Sequence, residues 1–290
     1  MDVISSCKHL VGDVIKRVVI WIVGLFTLSG NGIVLALHPF VTGLAVSDFL
    51  MGIYLTIIAS VDIYFQDVYV LEEIEWKKGF VCALSGFLST FSSETSTFFI
   101  SLITVERFLC LAYPFGEYRF SKFSTWMSFA LSWMTACILA LVPVIVSDWK
   151  IYSSNGLCLA LPFSSTLTKG WQFSFIIFIG LNFVLFLLIA FGQVAIFASI
   201  TRNRVAGSNN LKLKSKRRSE DLTVAKKLAM VAITDFLCWF PIGIIGLLSL
   251  KGYRIDRDIY AWVAVFVLPV NSALNPIIYT VPTIFNRYRH

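Results

Sequence analysis

Seven stretches of this chain are apolar for long enough to cross a bilayer, and short polar segments separate them. They run over about Val14–Leu37, Phe40–Phe65, Gly79–Leu111, Ser124–Val146, Trp171–Ile200, Leu222–Leu250 and Ile259–Val281. A segment in lipid must satisfy its own backbone groups, so each stretch predicts a helix. The pattern reads as an all-α, seven-transmembrane helix bundle over 14–282, with residues 1–13 before it and 283–290 after it. Basic residues between the stretches set the expected orientation. The segment Thr201–Asp221 carries Arg202, Arg204, Lys212, Lys214, Lys216, Arg217 and Arg218. Arg119 and Lys122 follow the third stretch, and Arg287 and Arg289 follow the seventh. Alternating spans put all of these on one side, which predicts a cytoplasmic face there and an extracellular amino terminus. Lys16 and Arg17, beside the first stretch, pull the other way and are outnumbered.

Composition agrees with a polytopic membrane domain. The chain is 57% hydrophobic and 14% charged, with mean hydropathy +0.79, outside the range of soluble globular domains. Net charge +7 is modest and confined to the basic segments, which argues against nucleic acid as a partner. Six cysteines without a CxxC pair, and only three histidines, give no structural metal pattern. No nucleophile elbow, HExxH or phosphate-binding glycine loop occurs, so no enzymatic chemistry is expected. No secretory signal peptide and no Asn-x-Ser/Thr acceptor is visible.

The polar residues inside the apolar stretches carry the candidate chemistry, because lipid makes a buried charge expensive. Stretch three holds Glu94 at mid-depth and Glu106-Arg107 towards its far end, within the segment Cys82–Phe115. Gly30-Asn31 ends the first stretch, and Asp48 lies in the second within Leu44-Ala45-Val46-Ser47-Asp48. Asn31 and Asp48 need partners, and facing each other would supply them. They are 17 positions apart, joined only by His38-Pro39 and the helix ends beside it. Stretch four has Trp133 and Pro143, for which packing and a kink suffice, and stretch five has Asn182 and Gln193. Stretch six reads Asp235-Phe236-Leu237-Cys238-Trp239-Phe240-Pro241, where the proline bends the helix and gives its inner half a pivot. Stretch seven ends Asn271-Ser272-Ala273-Leu274-Asn275-Pro276-Ile277-Ile278-Tyr279. Between stretches two and three, Gln66–Lys78 is expected as an outer loop, with Glu72, Glu73 and Glu75 as a solvated rim and Trp76 as an interface anchor.

Glu106-Arg107 with Tyr113-Pro114, Gly30-Asn31, Leu44-Ala45-x-x-Asp48, and Asn275-Pro276-x-x-Tyr279 occur in an order that resembles the rhodopsin-like (class A) G-protein-coupled receptors. Asp235, Glu94, Trp239 and Tyr113-Pro114-Phe115 are similar to the leucine-rich-repeat-containing, relaxin-receptor-like subfamily. The resemblance implies a Cys82–Cys158 disulfide, pinning the second outer loop over the bundle. It implies an ionic lock of Glu106, Arg107 and Asp221, and an activation switch built from Asp235, Trp239, Pro241, Asn271, Asn275, Pro276 and Tyr279. Asp235 is expected to accept from Asn271 or Asn275 and hold stretch six to stretch seven. Asp48, Ser96, Asn271, Ser272 and Asn275 match the family's sodium pocket, an oxygen set that suits a hard cation or a water cluster equally. No other cofactor is implied.

Cys7 is left without a partner on the outer side, and Thr283–His290 looks like the truncated start of an amphipathic cytoplasmic helix. The implied function is a plasma-membrane receptor that passes an extracellular peptide or protein hormone signal, relaxin-like, to heterotrimeric G proteins. In that group a large outer domain captures the hormone, and here only 13 residues precede the first stretch, so a membrane-domain fragment is expected. Two departures stand out: the family's first inner loop is essentially missing, and stretch five lacks its usual proline. The alternatives are a truncated non-signalling isoform, a class A receptor with its ligand inside the bundle, and a transporter or channel using Asp48, Glu94 and Asp235. Internal repeats and paired broken helices, which would favour transport, are not found. Membrane lipid is the remaining partner, with Lys212–Arg218 near anionic headgroups.

Overall fold

The computed structural model describes residues 9–11, 13–37, 42–112, 120–160, 169–202, 211–253, 259 and 262–287. Among these, the side chains of 147, 201–202, 211–221, 224, 264 and 279–287 are outside the description. The first helices are α1 (Val14–Leu37), α2 (Thr42–Tyr64), α3 (Tyr69–Lys78), α4 (Phe80–Ala112) and α5 (Lys122–Ile145). Trp171–Phe175, a π-helical turn Ile176–Leu181 and Asn182–Arg202 run on as one helix, α6. Leu211–Leu250 is α7, and a π turn Val263–Val267 continuing into Leu268–Arg287 is α8. Six of the helices are long and apolar enough to cross a membrane, and α8 contributes the shorter apolar piece Val265–Ile278.

The spans are α1, α2, α4, α5, α6, α7 and α8, packed as one bundle of seven. Helix α2 sits inside it, touching α1, α4 and α8. Small residues allow the close fit of α1 on α2: a Cβ added at Gly52 would lie 2.8 Å from Leu28 Cγ. Large apolar residues turn outward on every span, as lipid requires, and the interior holds the polar ones.

Three expectations change. Gln66–Lys78 is not all loop. It contains α3, favoured by the Glu73–Lys77 pair one turn apart (2.6 Å), by Glu72 in its first turn and by lysines in its last. Helix α7 begins at Leu211, so much of the basic segment expected as an inner connection is helical; Leu, Lys and Arg are good helix formers there. Thr283 does not start a separate helix, because α8 runs on to Arg287. The short turn at His38-Pro39, Tyr113-Pro114-Phe115 and Cys7 lie outside the described residues.

Candidate functional site: a polar core under a folded-in loop

At the centre of the bundle, apolar helices bring their few polar side chains together. Asp48 on α2 is fully buried; its Oδ1 accepts from Ser96 Oγ on α4 at 3.3 Å, and its Oδ2 from Asn275 Nδ2 on α8 at 2.7 Å. The Ser272 side chain is a further hydrogen-bond partner of Asp48. Asn271, one turn before Asn275, serves a different acid. Its Nδ2 donates to Asp235 Oδ1 on α7 at 2.9 Å, and its Oδ1 accepts from Thr234 Oγ1 at 3.0 Å. Two bonds in opposite directions thus fasten α7 to α8, and Asn275 fastens α8 to α2. Trp239 stacks on Phe178 of α6, and Phe236 on Phe186, at 6.0 and 4.1 Å between ring centres.

Asn31 does not face Asp48. It donates to Thr27 O in its own helix and, at 3.0 Å, to Ser272 O on α8. Both amide hydrogens are thereby used on backbone carbonyls, while the Asp48 carboxylate takes its donors from α4 and α8. Glu94, fully buried, accepts from Asn182 Nδ2 on α6 at 3.1 Å. Asn182 also donates to Ile177 O, a carbonyl of the π turn, so one amide ties α4 to that irregular turn. Below them Gln193 donates to Thr104 at 3.3 Å.

The far end of the bundle holds Glu106, half-buried, and Arg107, exposed. Among the described residues no ion pair joins them to another group. The Asp221 and Tyr279 side chains lie outside the described residues.

At the opposite end, Cys82 and Cys158 are joined in a disulfide. The segment Ile151–Ala160 behind it folds down into the mouth of the bundle, with Tyr152, Leu157, Cys158 and Leu159 buried. Its polar groups are tied on three sides. Tyr54 on α2 donates to Leu157 O (3.0 Å) and Trp76 on α3 to Gly156 O (2.7 Å), while the Tyr152 hydroxyl donates to Ala140 O on α5 (2.9 Å). Asn155 closes the loop on itself by accepting from Leu159 N and donating to Leu159 O.

Asp62 was not singled out by the sequence pattern. At the last turn of α2 it accepts the Val11 backbone N–H at 2.9 Å and faces Arg17 of α1 at 3.8 Å, while Leu10 and Val11 are fully buried. Asp13 accepts the Lys16 N–H at 3.0 Å and pairs with its ammonium at 3.3 Å, and that backbone bond holds its carboxyl below the usual range. The two cations that opposed the charge-based orientation therefore both sit beside carboxylates. The available signal was an acid at the end of one apolar stretch and a base at the start of its neighbour.

The oxygen set at Asp48 bears on the implied sodium. One carboxylate and two hydroxyls converge there, and Asn275 Oδ1 is buried without a hydrogen bond on an amide already at Asp48. This fits a small hard cation. Asn271, the remaining residue of the expected set, bonds instead to Asp235 and Thr234.

Residues 18–279 match the family described as "7 transmembrane receptor (rhodopsin family)". The chain belongs to that family. This receptor is 37% identical over 295 residues to "G-protein coupled receptor GRL101" of Lymnaea stagnalis, covering 97% of the chain and 26% of the relative. It is 33% identical over 296 residues to "Relaxin receptor 1" of Rattus norvegicus, covering 97% and 38%. The receptor chain therefore spans about a quarter to two fifths of the length of these relatives. Squid rhodopsin has the same fold, with a TM-score of 0.72 and 19% identity over 91% of this receptor and 75% of that chain.

Proposed function

We propose that this receptor carries an extracellular peptide or protein hormone signal, of the relaxin type, to heterotrimeric G proteins at the plasma membrane. The observation that carries this reading over a ligand inside the bundle is the buried segment Ile151–Ala160, which fills the mouth with the receptor's own chain. With the disulfide end outside, a hormone captured above the bundle acts by moving that segment and α3 rather than by entering. The segment is bonded to the spans through Tyr54, Tyr152 and the disulfide, and to α3 through Trp76, so its displacement reaches α2, α4 and α5 directly.

In the resting bundle Asp235 and Thr234 hold α7 to α8 through Asn271. Breaking these bonds frees the inner half of α7 to swing about Pro241, opening a cleft beside the already exposed Arg107 for a G protein. Hormone binding shifts the population between these two arrangements. Asp48, Ser96, Ser272 and Asn275 would hold a sodium ion, whose charge would offset the buried carboxylate and favour the closed arrangement.

The test is cyclic-AMP and calcium output from cells displaying the receptor, beside Arg107→Ala and Asp235→Ala. Asp235→Ala raises basal output, and Arg107→Ala lowers it at equal surface expression. An Asp235→Ala receptor that reaches the surface with unchanged basal output, in cells where the parent signals, sinks the switch.

A further inference from the structure

Helix α3 has two unlike faces. Tyr69 and Trp76 are buried against the bundle, and Trp76 Nε1 donates to Gly156 O of the folded-in loop at 2.7 Å. At 3.6 residues per turn, Leu71, Ile74 and Lys78 fall on the side roughly opposite those two. Leu71 is 76% exposed and Ile74 66%, and Val70, 46% exposed, extends the same apolar edge. A ten-residue helix thus turns two large aliphatic side chains away from the described residues of its own chain.

The surroundings identify the partner. Helix α3 lies between the last turn of α2 and the first turn of α4, separated from α4 only by Gly79. Tyr64 at that end of α2 and Phe80 at that start of α4 are each 79% exposed, as interface aromatics of membrane spans are. The apolar edge thus belongs to a helix bracketed at both ends by span termini that present exposed aromatics, the level where hydrocarbon meets headgroups. Charge is sorted to match. Exposed Lys78 sits on the outward edge, where a long ammonium side chain reaches phosphate, while Glu72 and Glu75 lie around the helix on its flank.

We infer that α3 is an interfacial helix whose Val70–Leu71–Ile74 edge rests in the outer leaflet, with Lys78 at the phospholipid headgroups. The lipid then supports one side of α3 while its other side holds the loop that closes the bundle. The inference concerns a surface outside the polar core and stands whether or not the hormone reading does.

The experiment uses the full chain in phosphatidylcholine nanodiscs, with single spin labels at 71, 74, 72 and 75 in a background where the free cysteines are replaced. Labels at 71 and 74 should collide several-fold more with oxygen, relative to a water-soluble nickel chelate, than labels at 72 and 75. Equal access to the chelate at all four sites overturns the inference. Shielding of 71 and 74 from both agents overturns it too, because a protein then covers the edge. A second measurement needs no substitution: a phospholipid with a photoreactive group near its headgroup should crosslink to α3 of the wild-type chain at Leu71 or Ile74. Crosslinks confined to the seven spans would count against it.

Discussion

Two buried acids on different helices, Asp48 and Asp235, are each satisfied by one asparagine of α8, four residues apart. That one-turn spacing lets a single helix face serve both α2 and α7. Removing the Asp235 carboxylate leaves the Asn271 amide buried without its acceptor, at about 1–3 kcal/mol. Since this bond exists only where α7 lies against α8, the loss falls on the closed arrangement. Basal signalling of Asp235→Ala should rise roughly 5–30-fold if about 1–2 kcal/mol of it is expressed in that equilibrium. Asn271→Ala should produce a similar rise, and the double variant little more, as measured by cyclic-AMP output at matched surface density. Asp62 makes a separate case. Asp62→Asn keeps an acceptor for the Val11 N–H but drops the charge facing Arg17, whereas Asp62→Ala loses both. Thermal unfolding of the purified receptor should therefore rank wild type above Asp62→Asn above Asp62→Ala, the last lower by about 1–3 kcal/mol. Equal midpoints for the two variants would mean that the Val11 bond contributes nothing.

Helices large enough to span lipid were legible in the apolar pattern, because length and composition alone define them. The polar positions that needed partners, Asp48, Glu94 and Asp235, were legible for the same reason; the Asp235–Asn271 contact was expected too, but the partners of Asn31 and Glu94 were not. Asn31 was expected at Asp48 and instead reaches a backbone carbonyl of α8, a choice set by helix rotation that sequence does not record. Helix α3 was hidden because a short charged stretch between two apolar spans carries the same pattern whether it is a loop or a helix. The π turn in α6 was hidden because its residues are apolar on every side, so no periodicity shows the extra residue. Packing at this level is testable through glycine. A Cβ at Gly86 on α4 would lie 2.3 Å from the Tyr152 ring and 2.5 Å from Cys158 O, whereas one at Gly243 on α7 meets nothing within 4 Å. Alanine usually stabilises a helix interior by roughly 0.5–1 kcal/mol relative to glycine. Gly243→Ala should follow that rule, while Gly86→Ala should reverse it and destabilise by about 1–3 kcal/mol as the loop is forced outward. Unfolding midpoints of the two variants in one detergent decide the sign.

In the molecule taken whole, the folded-in loop is where the helices at the disulfide end meet: α4 through the disulfide, α2 through Tyr54, α3 through Trp76 and α5 through Tyr152. The disulfide closes a sequence separation of 76 residues, which by chain entropy alone corresponds to roughly 4.5 kcal/mol. The effect in a membrane should be smaller, because the unfolded reference keeps its helices inserted and so has less freedom to lose. The three side-chain bonds contribute about 0.5–1.5 kcal/mol each, and they remain when the disulfide is cut. Replacing Cys82 and Cys158 with serine should therefore loosen the loop without unfolding the bundle. Hydrogen exchange separates these outcomes. The Cys158 and Leu159 amides, bonded to Asn155 O and Oδ1, should exchange at least about tenfold faster in the double variant, each factor of ten being about 1.4 kcal/mol. Amides in the buried middle of α4 should keep their protection. Adding Trp76→Phe should accelerate the loop further, because it deletes the donor to Gly156 O while leaving an aromatic ring in place. Loop exchange unchanged by the loss of the disulfide would mean that the hydrogen bonds alone hold the mouth closed.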